Sequence, residues 1–176
     1  MKIIKGITIM AFVATIFTSC VGIPEGVTAV QNFNKDKYLG KWYEIARFDF
    51  RFERNLDNTT AQYSINPDGS IKVLNQGYNY VKKEWDSAEG KAKFIGSESE
   101  ARLKVSFFGP FYGGYNVVDI DENYQNALIY GNSTEYMWIL SRTKTIDEAT
   151  KKRFIEKAKK DGFDVSKLIW VNHNKD

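Results

Sequence analysis

Apolar and polar residues alternate with a period of two along much of the chain. Leu103, Val105 and Phe107 are interleaved with Arg102, Lys104 and Ser106, and Ala92 and Phe94 with Lys91 and Lys93. Successive side chains of an extended backbone leave opposite faces, so each such run has one wet face and one dry face. Runs of this kind recur at short spacing: Trp42 to Phe48, Thr59 to Ile65, Ile71 to Tyr80, Glu84 to Phe94, Arg102 to Phe107, Tyr112 to Ile120, Ala127 to Tyr130 and Met137 to Arg142. Turn residues divide them, most clearly Asn66-Pro67-Asp68-Gly69. No strand–helix–strand alternation is present, so the expected sheet is antiparallel. Eight such strands closed on themselves make an all-β, up-and-down barrel, whose interior is filled by side chains or holds one small ligand.

The period then changes. Thr145-Ile146-Asp147-Glu148 reads as a capping box, with Phe154, Ile155 and Ala158 as a stripe at helical spacing and Gly162 as a C-terminal cap. One amphipathic helix is therefore expected over residues 146–161. Its Lys151, Lys152, Lys157, Lys159 and Lys160 form a basic face, either solvated or turned to a membrane surface. Leu168 to Val171 reads as a last short strand. A striped helix after the barrel needs an apolar protein surface to dock on, which argues against an inside-out transmembrane barrel.

The N-terminus reads as an address. Lys2 and Lys5 precede an uncharged apolar run from Ile7 to Phe17, then Thr18-Ser19-Cys20. A basic start, about a dozen apolar residues and small residues before a cleavage point describe a secretory signal. The single Cys falls at that point, and the pattern resembles the lipobox of bacterial lipoproteins, with Phe17 in place of the usual Leu. Residues 1–19 are then a signal peptide, Cys20 is the lipidated first mature residue, and residues 20–30 form a tether to a domain spanning 31–176.

Composition and charge narrow the classes. Of 176 residues, 15% are aromatic, and leaving that surface wet would be costly, so the chain is not disordered. Removing Lys2 and Lys5 with the signal takes the net charge from +3 to +1, too little to steer the protein onto nucleic acid. One Cys excludes an intramolecular disulfide and a multi-Cys metal site. No cofactor is expected.

Gly40-Lys41-Trp42-Tyr43 opens the first strand: Gly at a tight bend, then a large aromatic able to plug a barrel end. Arg142 closes the eighth in Trp138-Ile139-Leu140-Ser141-Arg142, where its guanidinium could lie on an indole face and donate to backbone carbonyls. Gly40, Trp42 and Arg142 are thus the expected closed end. This constellation resembles the lipocalin family. Trp42-Tyr43-Glu44-Ile45-Ala46-Arg47-Phe48, Phe52-Glu53-Arg54, Leu103 through Tyr115, and Gly162-Phe163-Asp164-Val165-Ser166 resemble its bacterial outer-membrane members, lipid-anchored relatives of apolipoprotein D. The Asp121-Glu122-Asn123-Tyr124 motif is looser. The resemblance implies a calyx with one open mouth, a fatty acid or lysophospholipid as ligand, a periplasmic home on the outer membrane, and room for a homodimer.

Strand parity assigns the wall. From Arg142 it turns Leu140 and Trp138 inward; from Trp42 it turns Glu44 and Ala46 inward. Leu103, Val105 and Phe107 are the apolar phase of their strand, and Tyr112 begins the next one near a barrel end. The resemblance gives Tyr112 and Trp138 most weight as ligand contacts. Arg47, Arg51 and Arg54 flank the first long loop and are candidate headgroup contacts, with Arg51 to Arg54 as a lid. No catalytic signature is present: the lone His173 sits in a tail read as frayed, and Glu44 beside Arg47 or Arg142 is more simply a structural ion pair. The alternative reading is a lipid-tethered interaction scaffold with a filled barrel.

Overall fold

A computed structural model describes residues 21–175; the expected signal peptide and the expected lipidation site, Cys20, lie outside them. The strands are β1 (Gly40–Arg47), β2 (Leu56–Ile65), β3 (Ile71–Asn79), β4 (Glu84–Phe94), β5 (Arg102–Phe108), β6 (Phe111–Ile120), β7 (Asn126–Tyr130) and β8 (Met137–Ser141). Each pairs antiparallel with the next, and β1 pairs with both β2 and β8, so the sheet closes into the expected barrel. A two-residue strand, β9 (Ile169–Trp170), adds to β1 outside the ring. A short helix, α1 (Lys35–Tyr38), precedes the barrel, and α2 (Glu148–Lys160) packs against its outer wall.

Two apolar cores follow from the alternation. Trp42, Tyr63, Val73, Leu103, Val117 and Leu140 meet inside the barrel. Ile45, Leu128, Ile139, Phe154, Ala158 and Phe163 meet outside it, between the wall and α2. Where α2 covers the wall both strand faces are dry, which is why β7 and β8 read as nearly continuous apolar runs rather than alternating ones.

The closed end is built as the sequence suggests. The Arg142 guanidinium lies 3.8 Å from the centroid of the Trp42 indole. It donates to the carbonyls of Lys41 at 2.7 Å, Lys37 at 2.8 Å and Leu39 at 2.9 Å. Its Nε donates to the Tyr124 carbonyl. One planar fork thus ties the ends of α1, β1 and the β6–β7 turn together. Gly40 has φ +97, a left-handed conformation, with Arg142 Nη1 3.4 Å from where a Cβ would sit. Asp121 shapes the β6–β7 turn by accepting from the backbone N–H groups of Asn123, Gln125 and Asn126.

Three local expectations need correction. The helix starts at Glu148, capped by Asp147 rather than Thr145: Asp147 Oδ1 accepts from Thr150 N at 2.9 Å, and its other oxygen takes the Thr150 hydroxyl. A carboxylate beside the positive helix terminus outcompetes a neutral hydroxyl two residues earlier. The tail is not frayed: His173 Nε2 bonds the Glu44 carbonyl at 2.8 Å, its ring meets Tyr43 edge-on, and Asn172 bonds Asp57. Residues 22–30 pack on the barrel instead of hanging free. Asn116 Nδ2 donates to the Gly22 carbonyl, Ala29 is buried, and Val30 bonds Val117 and Ala101.

Truncating Trp42 to Ala is expected to cost about 3–5 kcal/mol in chemical denaturation, because the indole is fully buried under Arg142. Asp147→Ala is expected to cost about 1 kcal/mol by the same measurement through loss of the cap.

Candidate ligand-binding cavity

The barrel encloses a cavity of about 650 Å³ that opens at the end opposite Arg142. Its floor is a set of three tyrosines. Tyr115 Oη lies 2.6 Å from Tyr38 Oη and 2.8 Å from Tyr63 Oη, and all three residues line the cavity. Burial holds each phenol well above its ordinary pKa, so the floor stays uncharged. The wall above is apolar: Val73, Ala92, Leu103, Val105, Phe107 and Leu140. The mouth is aromatic: Phe50, Phe52, Phe108, Phe111, Tyr112, Tyr136 and Trp138.

The predicted pocket residues divide cleanly. Trp138, Tyr112, Leu140, Val105, Leu103 and Phe107 all line the cavity, and Glu44 does too. Ala46 does not. The β1–β8 register shifts between Glu44 and Ala46, and this bulge reverses the parity of β1. Ala46 is therefore packed in the outer core with Ile45 and Phe48, fully buried against the helix side.

The same bulge turns Arg47 back inward, so it is not a headgroup contact at the rim. Arg47 is 2% exposed and pairs with Glu44 at 2.8 Å. It also donates to the carbonyls of Glu53 and Leu56, each at 2.8 Å. Arg47 thereby pins the loop between β1 and β2 to the barrel wall. Arg51 and Arg54 stay exposed on that loop. Arg54 pairs with Asp49 at 2.7 Å, and Arg51 lies 4.4 Å over the Phe52 ring.

Sequence reasoning missed Glu53 as a cavity residue. Its Oε2 accepts from Trp138 Nε1 at 3.0 Å, joining the loop to the wall. Burial pushes its carboxyl up to about 8, and the charge of Glu44 adds to that rise. Glu44 is itself raised by burial, against the pull of Arg47 and the Thr59 hydroxyl. Glu44 pairs its carboxyl with Arg47, whereas Glu53 meets Arg47 only through its backbone carbonyl, so less opposes the upward push of burial on the Glu53 carboxyl. Asn75 adds a buried Oδ1 with no partner among the described residues, in a side chain that lines the cavity.

The pH consequence has a definite sign. Glu53 binds its proton more tightly folded than unfolded, so its favourable contribution is complete below its ordinary carboxylate pKa and is lost as pH rises toward 8. His173 is held below its ordinary pKa by burial and acts in the opposite direction on the acid side. Wild type is therefore expected to lose thermal stability from pH 6.5 to 9, and Glu53→Gln to flatten that loss. Melting curves of the two proteins across this range check it.

Residues 33–173 match the family model described as a lipocalin-like domain. The chain is 57% identical over 148 residues to the outer membrane lipoprotein Blc of Citrobacter freundii, covering 84% of each chain. Its identity to the protein of the same name from Vibrio cholerae is 50% over 159 residues, covering 90% of this chain and 93% of that one. Apolipoprotein D of Rattus norvegicus is 34% identical over 129 residues, covering 68% and 66%. Among solved structures, the cockroach allergen Per a 4 superposes with a TM-score of 0.66 at 20% identity, over 86% of this chain and 94% of that one, which speaks for the fold. With its Gly40-Lys41-Trp42 opening, its Arg142 closure and these matches, the chain belongs to the lipocalin family.

Proposed function

We propose that this protein binds single-chain lipids, fatty acids or lysophospholipids, and stores or carries them on the periplasmic face of the bacterial outer membrane, held there by acylated Cys20. The observation that carries the reading is the apolar cavity of about 650 Å³. It falls within the range of about 300–1,000 Å³ that encloses a small-molecule ligand. Burying an acyl chain of about sixteen carbons, at about 0.8 kcal/mol per CH₂, supplies on the order of 10 kcal/mol before association costs. The outer membrane lipoprotein names of the relatives support the location and the anchor.

The cavity speaks against a barrel packed solid as a scaffold. Binding without turnover is the reading for the carboxyls as well. Glu44 is held by Arg47 and Thr59, and Glu53 by Trp138, each in a structural bond. Selectivity among chain lengths is expected to be low, because one methylene changes little against an apolar wall. Arg51 and Arg54 are the cations available to a phosphate or carboxylate at the mouth.

Titration of the purified mature protein with a fluorescent fatty acid tests the reading. Saturable binding at micromolar concentration or below is expected, and no binding would remove it. Trp138→Ala is expected to weaken that binding by about 1 kcal/mol or more, about fivefold or more in Kd, with the fold intact.

A further inference from the structure

Large hydrophobic side chains stand exposed around the open mouth: Phe111 at 79%, Phe108 at 63% and Phe52 at 51%. Phe52 and Phe108 are 5.5 Å apart across the rim, on different loops, and Arg51 lies against Phe52. Among the described residues Arg51 has no carboxylate partner. Exposed phenylalanine is costly in water and favourable among lipid headgroups and upper acyl chains, where a neighbouring guanidinium meets phosphate.

The path of the N-terminal segment gives the rim an orientation. Gly22 lies against the middle of β6 beside the loop between β7 and β8, whose Asn132 and Tyr136 line the cavity. Its carbonyl bonds Asn116 Nδ2 and sits 2.6 Å from where a Cβ on Gly114 would stand. Only a glycine at 114 admits that approach. From there the segment reaches Val30, which bonds Val117 and Ala101, and α1 at the closed end follows. Cys20 is two positions before Gly22 in the sequence. An acyl anchor at Cys20 would thus join the domain beside the loop between β7 and β8 rather than at the Arg142 end.

We propose that the rim formed by Phe52, Phe108 and Phe111, with Arg51, is a membrane-contact surface that rests in the bilayer holding the anchor, so that the cavity opens directly onto lipid. The proposal rests on the anchored, lipid-binding reading above. It adds where lipids enter and leave: through the rim, without crossing water.

Acylation of Cys20 leaves a second, introduced cysteine as the only free thiol. Full-length lipidated protein carrying Phe108→Cys, Phe111→Cys or, at the closed end, Glu122→Cys is labelled with an environment-sensitive fluorophore. It is then placed in vesicles of phosphatidylethanolamine and phosphatidylglycerol. At positions 108 and 111 the emission should shift to the blue, iodide quenching should fall severalfold relative to position 122, and lipids spin-labelled near the headgroup should quench. Equal iodide access at all three positions would overturn the proposal. So would shielding of 108 and 111 that appears without vesicles and grows with protein concentration, which would make the rim a contact between two copies of the chain. Mass spectrometry of Cys20 and fatty-acid titration of the unlabelled protein are run alongside. A missing acyl group or absent binding marks failure of the underlying reading, and a water-exposed rim on an acylated, lipid-binding protein marks failure of this one.

Discussion

The barrel depends on how its lower end is sealed. Arg142 lies flat on Trp42 and reaches four backbone carbonyls of α1, the α1–β1 link and β1. Those carbonyls lie where α1 ends and β1 begins, and one side chain gathers them all. A lysine in the same place would offer a point charge without the planar fork. Because this one group closes the base, the strands above can part from each other's side chains and leave space between them. The seal at the base and the backbone ladders that join β1 to β2 and β8 close the ring without side chains filling its middle.

The bulge in β1 is the second organising feature. It sends Ala46 to the outer core, where a small side chain lets α2 approach, and brings Arg47 into the wall beneath the first loop. Arg47 then holds Glu44 inside the barrel and fixes the loop carbonyls of Glu53 and Leu56. The loop in turn positions Glu53 against Trp138 and Phe52 at the rim. A single irregularity in one strand therefore decides which charges sit in the wall and which stand in solvent.

The strand order, the closed end and most of the wall were legible in the sequence, because strict alternation and the Trp42–Arg142 spacing are carried by single residues with few alternatives. Leu103, Val105 and Phe107 declare their face by their neighbours. Ala46 and Arg47 did not, since a bulge reverses parity without any glycine or proline to mark it. Glu53 was hidden for another reason. A loop carboxylate reads as solvated until the fold shows that an indole N–H and a guanidinium have drawn the loop over the mouth. Asp147 was overlooked as a cap because Thr145 and Glu148 offered a more familiar spacing, and Asn172 and His173 gain their partners only from strands more than a hundred residues away.

The tyrosine floor gives the interior a direction. The hydroxyls of Tyr38, Tyr63 and Tyr115 are bonded to one another. Two bonds join the three hydroxyls, so part of their hydrogen-bonding capacity is taken up within the floor, and each phenol there is held neutral by burial. The Asn75 oxygen, unmatched among the described residues, and the Glu53 carboxyl, bonded to Trp138, lie higher on the wall and on the loop. The interior is therefore graded, with a neutral aromatic floor below and its further polar atoms set higher, toward the loop that covers the mouth.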